Sequence, residues 1–503
     1  MTRGSRRGKA WVLGWLLSLA LGLAASPGAD ALEGRALPNI VLILADDLGW
    51  GDVGYHGSLI KTPVLDQLAK KGVVLSQFHA QPTCSPTRAA LLTGQAPVRF
   101  GISQPLSKLQ PKGLDLSAKT LADHLKAAGY QTFLTGKWHL GPSDYAYHPL
   151  ARGFDHFYGN LSGGVGHWDH VHGGGLDWQR NGQSVREQGY STHLLAAEAE
   201  RLLRTRNRDR PFFLYASFNA PHLPNEAPPE AVAAYRSFSN PFRRTHAAMV
   251  SEFDRALGQL VATLKAEGLE DNTLLWFMSD NGGLIPELGP RPLVGLAKLL
   301  DALFDGPVPQ RTLEFIRVNT LEGGSDNGPL REGKGSIYEG GVRVPSLLYW
   351  PGTLSPSTHE GFISVQDVTP TLLSLAGLGA SGSFDGVNQW PALAKQGEVA
   401  PADYLVLGQD GEAFYRWPWK LLALGEETFE LYDLQNDPLE RTDLAGVHPE
   451  RVRALDAARQ RVPRADSIHL PLGQVLSDMD FFGGAEDRPP WAEQMKDRPR
   501  DSR

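Results

Sequence analysis

Cys84 is the one cysteine in a chain of 503 residues, and it heads the run Cys84, Ser85, Pro86, Thr87 and Arg88, which continues through Ala89, Ala90, Leu91, Leu92, Thr93 and Gly94. Several chemistries use a lone thiol in such a setting. A cysteine phosphatase loop would need an arginine at position 90, where Ala90 stands. A zinc site would draw on several Cys and His ligands at fixed spacing, and there is no second cysteine. An inert cysteine buried at a helix start accounts for Cys84 but leaves the flanking pattern unexplained. A lone thiol outside the cytoplasm is also exposed to oxidation, so its presence calls for a reason beyond packing.

Two acidic pairs come next. Asp46 and Asp47 close the apolar run Ile40 to Leu44, and Asp280 and Asn281 follow the run Leu274 to Met278. Each pair alone reads as a turn former or helix cap. If both lie at carboxyl edges of one sheet they can converge on a cation through oxygen ligands only, which favours Ca2+ or Mg2+ over Zn2+.

Basic and imidazole side chains recur after other apolar runs. Lys137 and His139 end the stretch Gly129 to His139, and alternation along an extended segment would turn both to one side. His222 follows the run Phe212 to Ser217 within Asn219, Ala220, Pro221 and His222. Lys334 lies in Leu330 to Gly341; with Gly328 just before that stretch, Gly333 and Lys334 fit a GxxxxGK spacing, but Gly335 replaces the Ser or Thr that a nucleotide loop needs for its metal. The loop His167, Trp168, Asp169, His170, Val171 and His172 reads equally as a sugar or aryl subsite and as a solvated loop packed on its own tryptophan.

The Cys84 to Gly94 run resembles the first signature of the sulfatase family within the alkaline phosphatase superfamily. Gly129 to His139 is similar to the second signature, with Thr135 where a small apolar residue or Ser is usual, and Leu330 to Gly341 is similar to the family's PLRxGKxxxxEGG stretch. The resemblance implies conversion of Cys84 to formylglycine (3-oxoalanine) by a formylglycine-generating enzyme. It also implies a Ca2+ or Mg2+ site made of Asp46, Asp47, Asp280 and Asn281 together with residue 84. The hydrated aldehyde would offer one hydroxyl to attack sulfur and a second whose proton loss expels sulfate. By the same resemblance Arg88 steadies the hydrate and the metal carboxylates, and Lys137 and Lys334 neutralise sulfuryl oxygens. His139 takes the proton that releases sulfate, and His222, with Lys334 assisting, protonates the leaving oxygen. The activity implied is removal of sulfate from an aryl or carbohydrate ester. The rivals are a phosphonate monoester or phosphodiester hydrolase of the same superfamily and a non-catalytic protein that binds sulfated glycans.

The elements that must hold these residues follow from the apolar pattern. Short runs rich in Val, Ile, Leu and Phe alternate with helical periodicity, which gives an α/β fold: a large, mostly parallel sheet sandwiched by helices. Strands are expected at Ile40 to Leu44, Gln131 to Leu134, Phe212 to Ser217, Leu274 to Met278 and Ser346 to Trp350. Helices are expected at Thr62 to Lys71, Ser117 to Ala128, Ser191 to Arg204, Thr245 to Glu267 and Thr369 to Ala376. Functional groups in such sheets gather at the carboxyl ends of strands.

The catalytic domain is read as residues 38–395, with a Pro/Gly-rich insertion at 284–322 enclosing an apolar helix from Leu293 to Phe304. Residues 396–472 read as a smaller α+β domain with an antiparallel sheet, its strands around Tyr404 to Leu407, Phe414 to Trp417 and Phe429 to Tyr432. The tail at 473–503, rich in Asp, Arg and Pro, reads as extended or disordered. At the other end, Arg3, Arg6, Arg7 and Lys9 precede an apolar stretch and the small residues before Ala31, the order of a signal peptide over 1–31. Periplasmic or secreted location is the expectation, with no stable membrane anchor, because the apolar stretch is shorter than the ~20 residues of a spanning helix.

A net charge of −7, with 41% hydrophobic and 21% charged residues, fits a globular chain and gives no basic surface for nucleic acid. An anionic substrate therefore needs a locally basic pocket.

Overall fold

The computed structural model describes residues 37–285, 323–379, 383–425, 427–470 and 489–498. The apolar runs form a ten-stranded mixed sheet. Its order across is Ser357–His359, Val73–Leu75, Ser346–Tyr349, Thr273–Ser279, Asn39–Ala45, Phe212–Ser217, Gln131–Gly136, His156–Gly159, Gln179–Arg180 and Gln183–Ser184. The five strands from Thr273–Ser279 to His156–Gly159 run parallel, and pairing turns antiparallel at Ser346–Tyr349 on one side and Gln179–Arg180 on the other.

The central strands carry no polar alternation because both faces are covered: every residue of Asn39–Ala45 and of Phe212–Ser217 is buried. Val41, Ile43, Leu214 and Ala216 join one cluster with Leu65, Leu195, Leu203, Phe253 and Leu257 from the helices Pro63–Lys71, Ser191–Thr205 and Pro241–Ala266. Burying a side chain of this size fully contributes about 1.5–3 kcal/mol. The helices Cys84–Thr93, Leu121–Ala127 and Val368–Leu375 pack on one another as a second group.

Local signals set the helix ends. Asn240 Oδ1 accepts from the Phe242 and Arg243 amides and Pro241 opens the long helix, so it starts before the expected Thr245. The helix expected from Ser117 begins only at Leu121, because Thr120 and Asp123 form a reciprocal cap that fixes the first turn there.

A four-stranded antiparallel sheet follows, ordered Tyr404–Leu407, Glu412–Arg416, Trp419–Ala423 and Phe429–Asp433. Together with the helix Pro449–Gln460 it builds a second apolar cluster of Leu405, Phe414, Leu421, Leu431 and Leu455. The strand Trp419–Ala423 was not read from sequence: Pro418 precedes it and a lysine, Lys420, interrupts its apolar run. That lysine is wholly buried, bound to Glu339 Oε1 at 3.0 Å and Glu440 Oε1 at 2.6 Å.

Within the tail expected to be extended or disordered, Trp491–Gln494 forms a short helix, set by Pro490 before it. The apolar segment Leu293 to Phe304 lies outside the described residues. No described helix is long and apolar enough to cross a membrane.

Candidate active site

The register of the central strands brings their carboxyl ends to one edge. Ala45 is level with Ser279, Leu44 with Ser217, and Ser217 with Gly136. The next residues, Asp46, Asp280 and Lys137, therefore emerge side by side. Lys137 does not continue the strand. Gly136 takes a φ of 112°, and a Cβ there would stand 1.7 Å from the Ser217 carbonyl, so only glycine lets the chain turn this closely. His139 also has a positive φ, 58°, which corrects the expectation of simple alternation: the two side chains reach the site by a bent path.

Cys84 is the first residue of its helix and is buried, and burial pushes its thiol pKa up while Lys137 and Lys334 pull against it. Arg88, one turn along the helix, is also fully buried. Its Nη2 donates to Asp280 Oδ2 at 2.9 Å and stands 3.8 Å from Asp46 Oδ2, while Nη1 donates to the Lys137 carbonyl at 3.0 Å and to Ser217 Oγ at 2.6 Å. One guanidinium thus joins the cysteine helix to four strand ends. Thr87 Oγ1 adds a donation to the Asp280 carbonyl at 2.6 Å.

The carboxylates are lined by cations. Lys137 Nζ lies 2.7 Å from Asp46 Oδ2, and Lys334 Nζ lies 2.7 Å from Asp47 Oδ2. Burial alone would raise the Asp47 carboxyl, but Lys334, His222 and Lys137 together drive it below the usual carboxylate range. Asp280 goes the other way, to about 6, through burial and the neighbouring Asp46 charge.

The donor set fits a hard divalent cation. Asp46 Oδ1 and Asn281 Oδ1 are buried oxygens with no hydrogen-bond partner among the described residues. Asn281 donates its Nδ2 to Asp47 Oδ1 at 2.7 Å, which turns its own oxygen toward the site. Asp280 is less free: Oδ1 accepts from the Asp47 amide at 3.1 Å and Oδ2 from Arg88. Among the described residues, Asp46, Asp47 and His222 each offer one ligand atom within 4.8 Å of the others, which places His222 beside the acidic pair.

The two histidines differ in tautomer. Leu106 O lies 2.9 Å from His139 Nε2, so that nitrogen carries the proton and Nδ1, buried and without a partner among the described residues, presents a lone pair. Leu223 O lies 2.6 Å from His222 Nδ1, so His222 presents Nε2, 3.6 Å from Asp47 Oδ2. Burial first, then Lys334, pushes His222 down to about 3, and burial with Lys137 and Arg88 pushes His139 well down.

Sequence reasoning missed the groups that orient these side chains. Ser85 Oγ donates to the His139 carbonyl at 3.0 Å and accepts from the Leu106 amide at 2.9 Å, tying the residue beside Cys84 to both ends of the His139 contact. Ser217 was visible as a strand end, but nothing in its surroundings marked it as a partner of Arg88. Lys334 is reached through the smaller sheet: the Gln409 amide donates to the Gly335 carbonyl at 2.9 Å and Ser336 Oγ to Asp410 Oδ2 at 2.6 Å.

A family model described as Sulfatase matches residues 38–378. Arylsulfatase J of Mus musculus is 33% identical over 374 residues, covering 72% of this chain and 56% of that protein, so the chain spans little more than half of that relative. N-acetylgalactosamine-6-sulfatase of Homo sapiens is 32% identical over 417 residues, 76% of this chain and 72% of that protein. Among solved structures, Ps i-CgsB in complex with k-i-k-neocarrahexaose aligns with a TM-score of 0.76 at 31% identity, over 88% of this chain and 98% of that one.

Proposed function

The chain belongs to the sulfatase family, and from that premise we propose that it hydrolyses the sulfate ester of a saccharide or aryl alcohol, using Cys84 as formylglycine and a divalent cation, Ca2+ or Mg2+, at Asp46, Asp47, Asp280 and Asn281. The observation that carries this reading is the Arg88 junction, which draws the Cys84 helix, Asp280, Asp46 and Lys137 into one buried cluster. Likeness to N-acetylgalactosamine-6-sulfatases and to a structure holding a neocarrahexaose supports a sulfated saccharide as the substrate.

When present, the cation and the aldehyde hydrate supply a polarised sulfuryl group, a nucleophilic hydroxyl and a second hydroxyl for release. The remaining work falls to this chain's side chains. Lys137 and Lys334 hold positive charge at the cavity wall and exchange part of their contact with Asp46 and Asp47 for the sulfuryl oxygens, whose charge grows as the ester bond breaks. His222, open at Nε2, gains proton affinity from the arriving anion, takes up a proton there from solvent and gives it to the leaving oxygen. His139, open at Nδ1, accepts the proton whose removal releases sulfate. Arg88 keeps the helix start and the metal carboxylates in register.

The same reading includes export: the basic and then apolar N-terminal segment supports a periplasmic or secreted protein, matured by a formylglycine-generating enzyme. Coexpression with that enzyme, followed by mass spectrometry and assay on 4-nitrophenyl sulfate and phenyl phosphonates, tests the proposal. A peptide lighter at residue 84 by the difference between thiol and aldehyde, with turnover of the sulfate, is expected. An unmodified Cys84 with full activity, or a clear preference for phosphonate, overturns it.

A further inference from the structure

The histidine-rich loop resolves into three different roles. His167 is structural: Nδ1 pairs with Ser191 Oγ at 2.8 Å and Nε2 with the His222 carbonyl at 3.0 Å. His170 is buried and stacked on Trp178, with ring centroids 4.4 Å apart. Trp168 is 45% exposed and leans on Tyr190. His172 is the half-buried one, carried on a hairpin in which Val171–His172 pairs with Gly175–Leu176.

That hairpin faces the catalytic side chains. Gly163 and Gly164 pass close to both candidate catalytic rings: a Cβ on Gly163 would stand 2.7 Å from His139 Cε1, and one on Gly164 3.0 Å from His222 Nδ1. The His172 ring is hydrogen-bonded to the Gly164 backbone, so a single layer of chain separates it from His222. It therefore lies on the side where the leaving oxygen is protonated. Burial, then Lys108, pushes His172 down to about 3. An uncharged imidazole adds nothing to neutralising sulfate, but with one ring nitrogen taken by the Gly164 backbone the other is left to pair with a sugar hydroxyl.

The hairpin is held from behind by the C-terminal segment. Trp491 Nε1 donates to the His172 carbonyl at 2.8 Å, and Lys108 Nζ lies 5.4 Å from the Trp491 ring centroid. The segment is anchored in turn, because the Tyr145 amide donates to the Lys496 carbonyl at 3.0 Å and the Lys496 amide to the Ser143 carbonyl at 2.9 Å. An element of this kind fixes a loop at a set depth, which is what a hydroxyl contact needs.

We propose that His172 determines specificity by hydrogen-bonding a saccharide hydroxyl beside the esterified oxygen, and that Trp491 is the positioning residue that holds it there. The proposal rests on the sulfatase reading above. It is tested on the full chain with Cys84 converted, comparing 4-nitrophenyl sulfate with a saccharide substrate drawn from N-acetylgalactosamine 6-sulfate and sulfated carrageenan oligosaccharides. His172→Ala is expected to lower kcat/KM on the saccharide about tenfold more than on the aryl ester, through KM, as loss of one substrate hydrogen bond implies. His172→Gln should restore part of the difference, and Trp491→Phe should shift the ratio in the same direction by a smaller factor. Equal losses on both substrates, or none, overturn the proposal while leaving the sulfatase reading intact. A converted wild type inert on every sulfate ester overturns the sulfatase reading, and the His172 assignment with it.

Discussion

Lys334 Nζ and Asp47 Oδ2 stand 2.7 Å apart although they lie 287 residues from each other in sequence; the Lys334 amide donates to the Gly283 carbonyl at 3.1 Å, and the next residue, Gly335, accepts from the Gln409 amide at 2.9 Å. The ion pair keeps an ammonium beside Asp47, its pKa raised by Asp47, Cys84 and Asp46 against the cost of burial.

Lys334→Ala should therefore lower kcat on an aryl sulfate by about 10²–10³-fold, the usual effect of removing one preorganised charge that faces a developing anion. Circular dichroism should be unchanged, since the side chain is 17% exposed and Asp47 keeps Asn281 and His222 as neighbours. A loss below threefold would remove Lys334 from the reacting centre.

His139→Ala should separate the two halves of the reaction. With Nδ1 gone, the buried unpartnered nitrogen that would take the proton is lost, so alcohol release in the first turnover should outrun sulfate release. Rapid-quench measurement of both products reads the difference. Parallel slowing of the two would mean that His139 acts before the ester bond breaks.

Much of this arrangement was legible because the parallel strands are uniformly apolar and end in polar residues. Phe212–Ser217 and Tyr404–Leu407 were read with the bounds they have in the structure. Asp46, Asp47, Asp280 and Asn281 were read as strand-end groups for the same reason. What escaped was set by contacts distant in sequence. Lys420 is buried in a strand only because Glu339 and Glu440 meet it from elsewhere in the chain. The path from Lys137 to His139 bends because the Ser217 carbonyl crowds Gly136, which no local pattern reports. His172 was one of three histidines in a six-residue loop, and only the packing of the other two against Ser191 and Trp178 distinguishes it.

The unpartnered oxygens of Asp46 and Asn281 give a cation measurement. Ca2+ at a hundred times its dissociation constant should add about 2.7 kcal/mol to unfolding stability, and a chelator should remove it together with activity. Asn281→Ala should weaken the stabilisation at a given Ca2+ concentration. Thermal melting with and without the ion reads both effects, and a melting temperature indifferent to Ca2+ and Mg2+ would contradict the assigned donor set.

The buried Lys420 pairs offer a stability test remote from the chemistry. Removing one partner of a buried ion pair leaves its neighbours uncompensated, so Lys420→Ala should cost about 3–5 kcal/mol in urea unfolding. Lys420→Met combined with Glu339→Gln should cost less, because one of the two carboxylates facing the lysine is neutralised with it. A double variant as unstable as Lys420→Ala would assign the loss to packing instead of charge.

Asp254 supplies the pH dependence. Its two oxygens accept the amides of Val64 at 3.0 Å and Leu65 at 2.8 Å, anchoring the first turn of Pro63–Lys71 from another helix. Burial nevertheless raises its pKa from 3.8 to about 6, against the lowering effect of those amides. A carboxyl raised on folding binds its proton more tightly in the native state, so its contribution is fully present below pH 3.8 and is lost as pH rises through about 6. The loss should amount to about 2–3 kcal/mol. Asp254→Asn keeps an oxygen for one amide and carries no charge, so its stability relative to wild type should improve by that amount between pH 4 and pH 7, as read by urea unfolding at each pH. Parallel pH profiles for the two proteins would show that the carboxyl is already ionised when the chain folds.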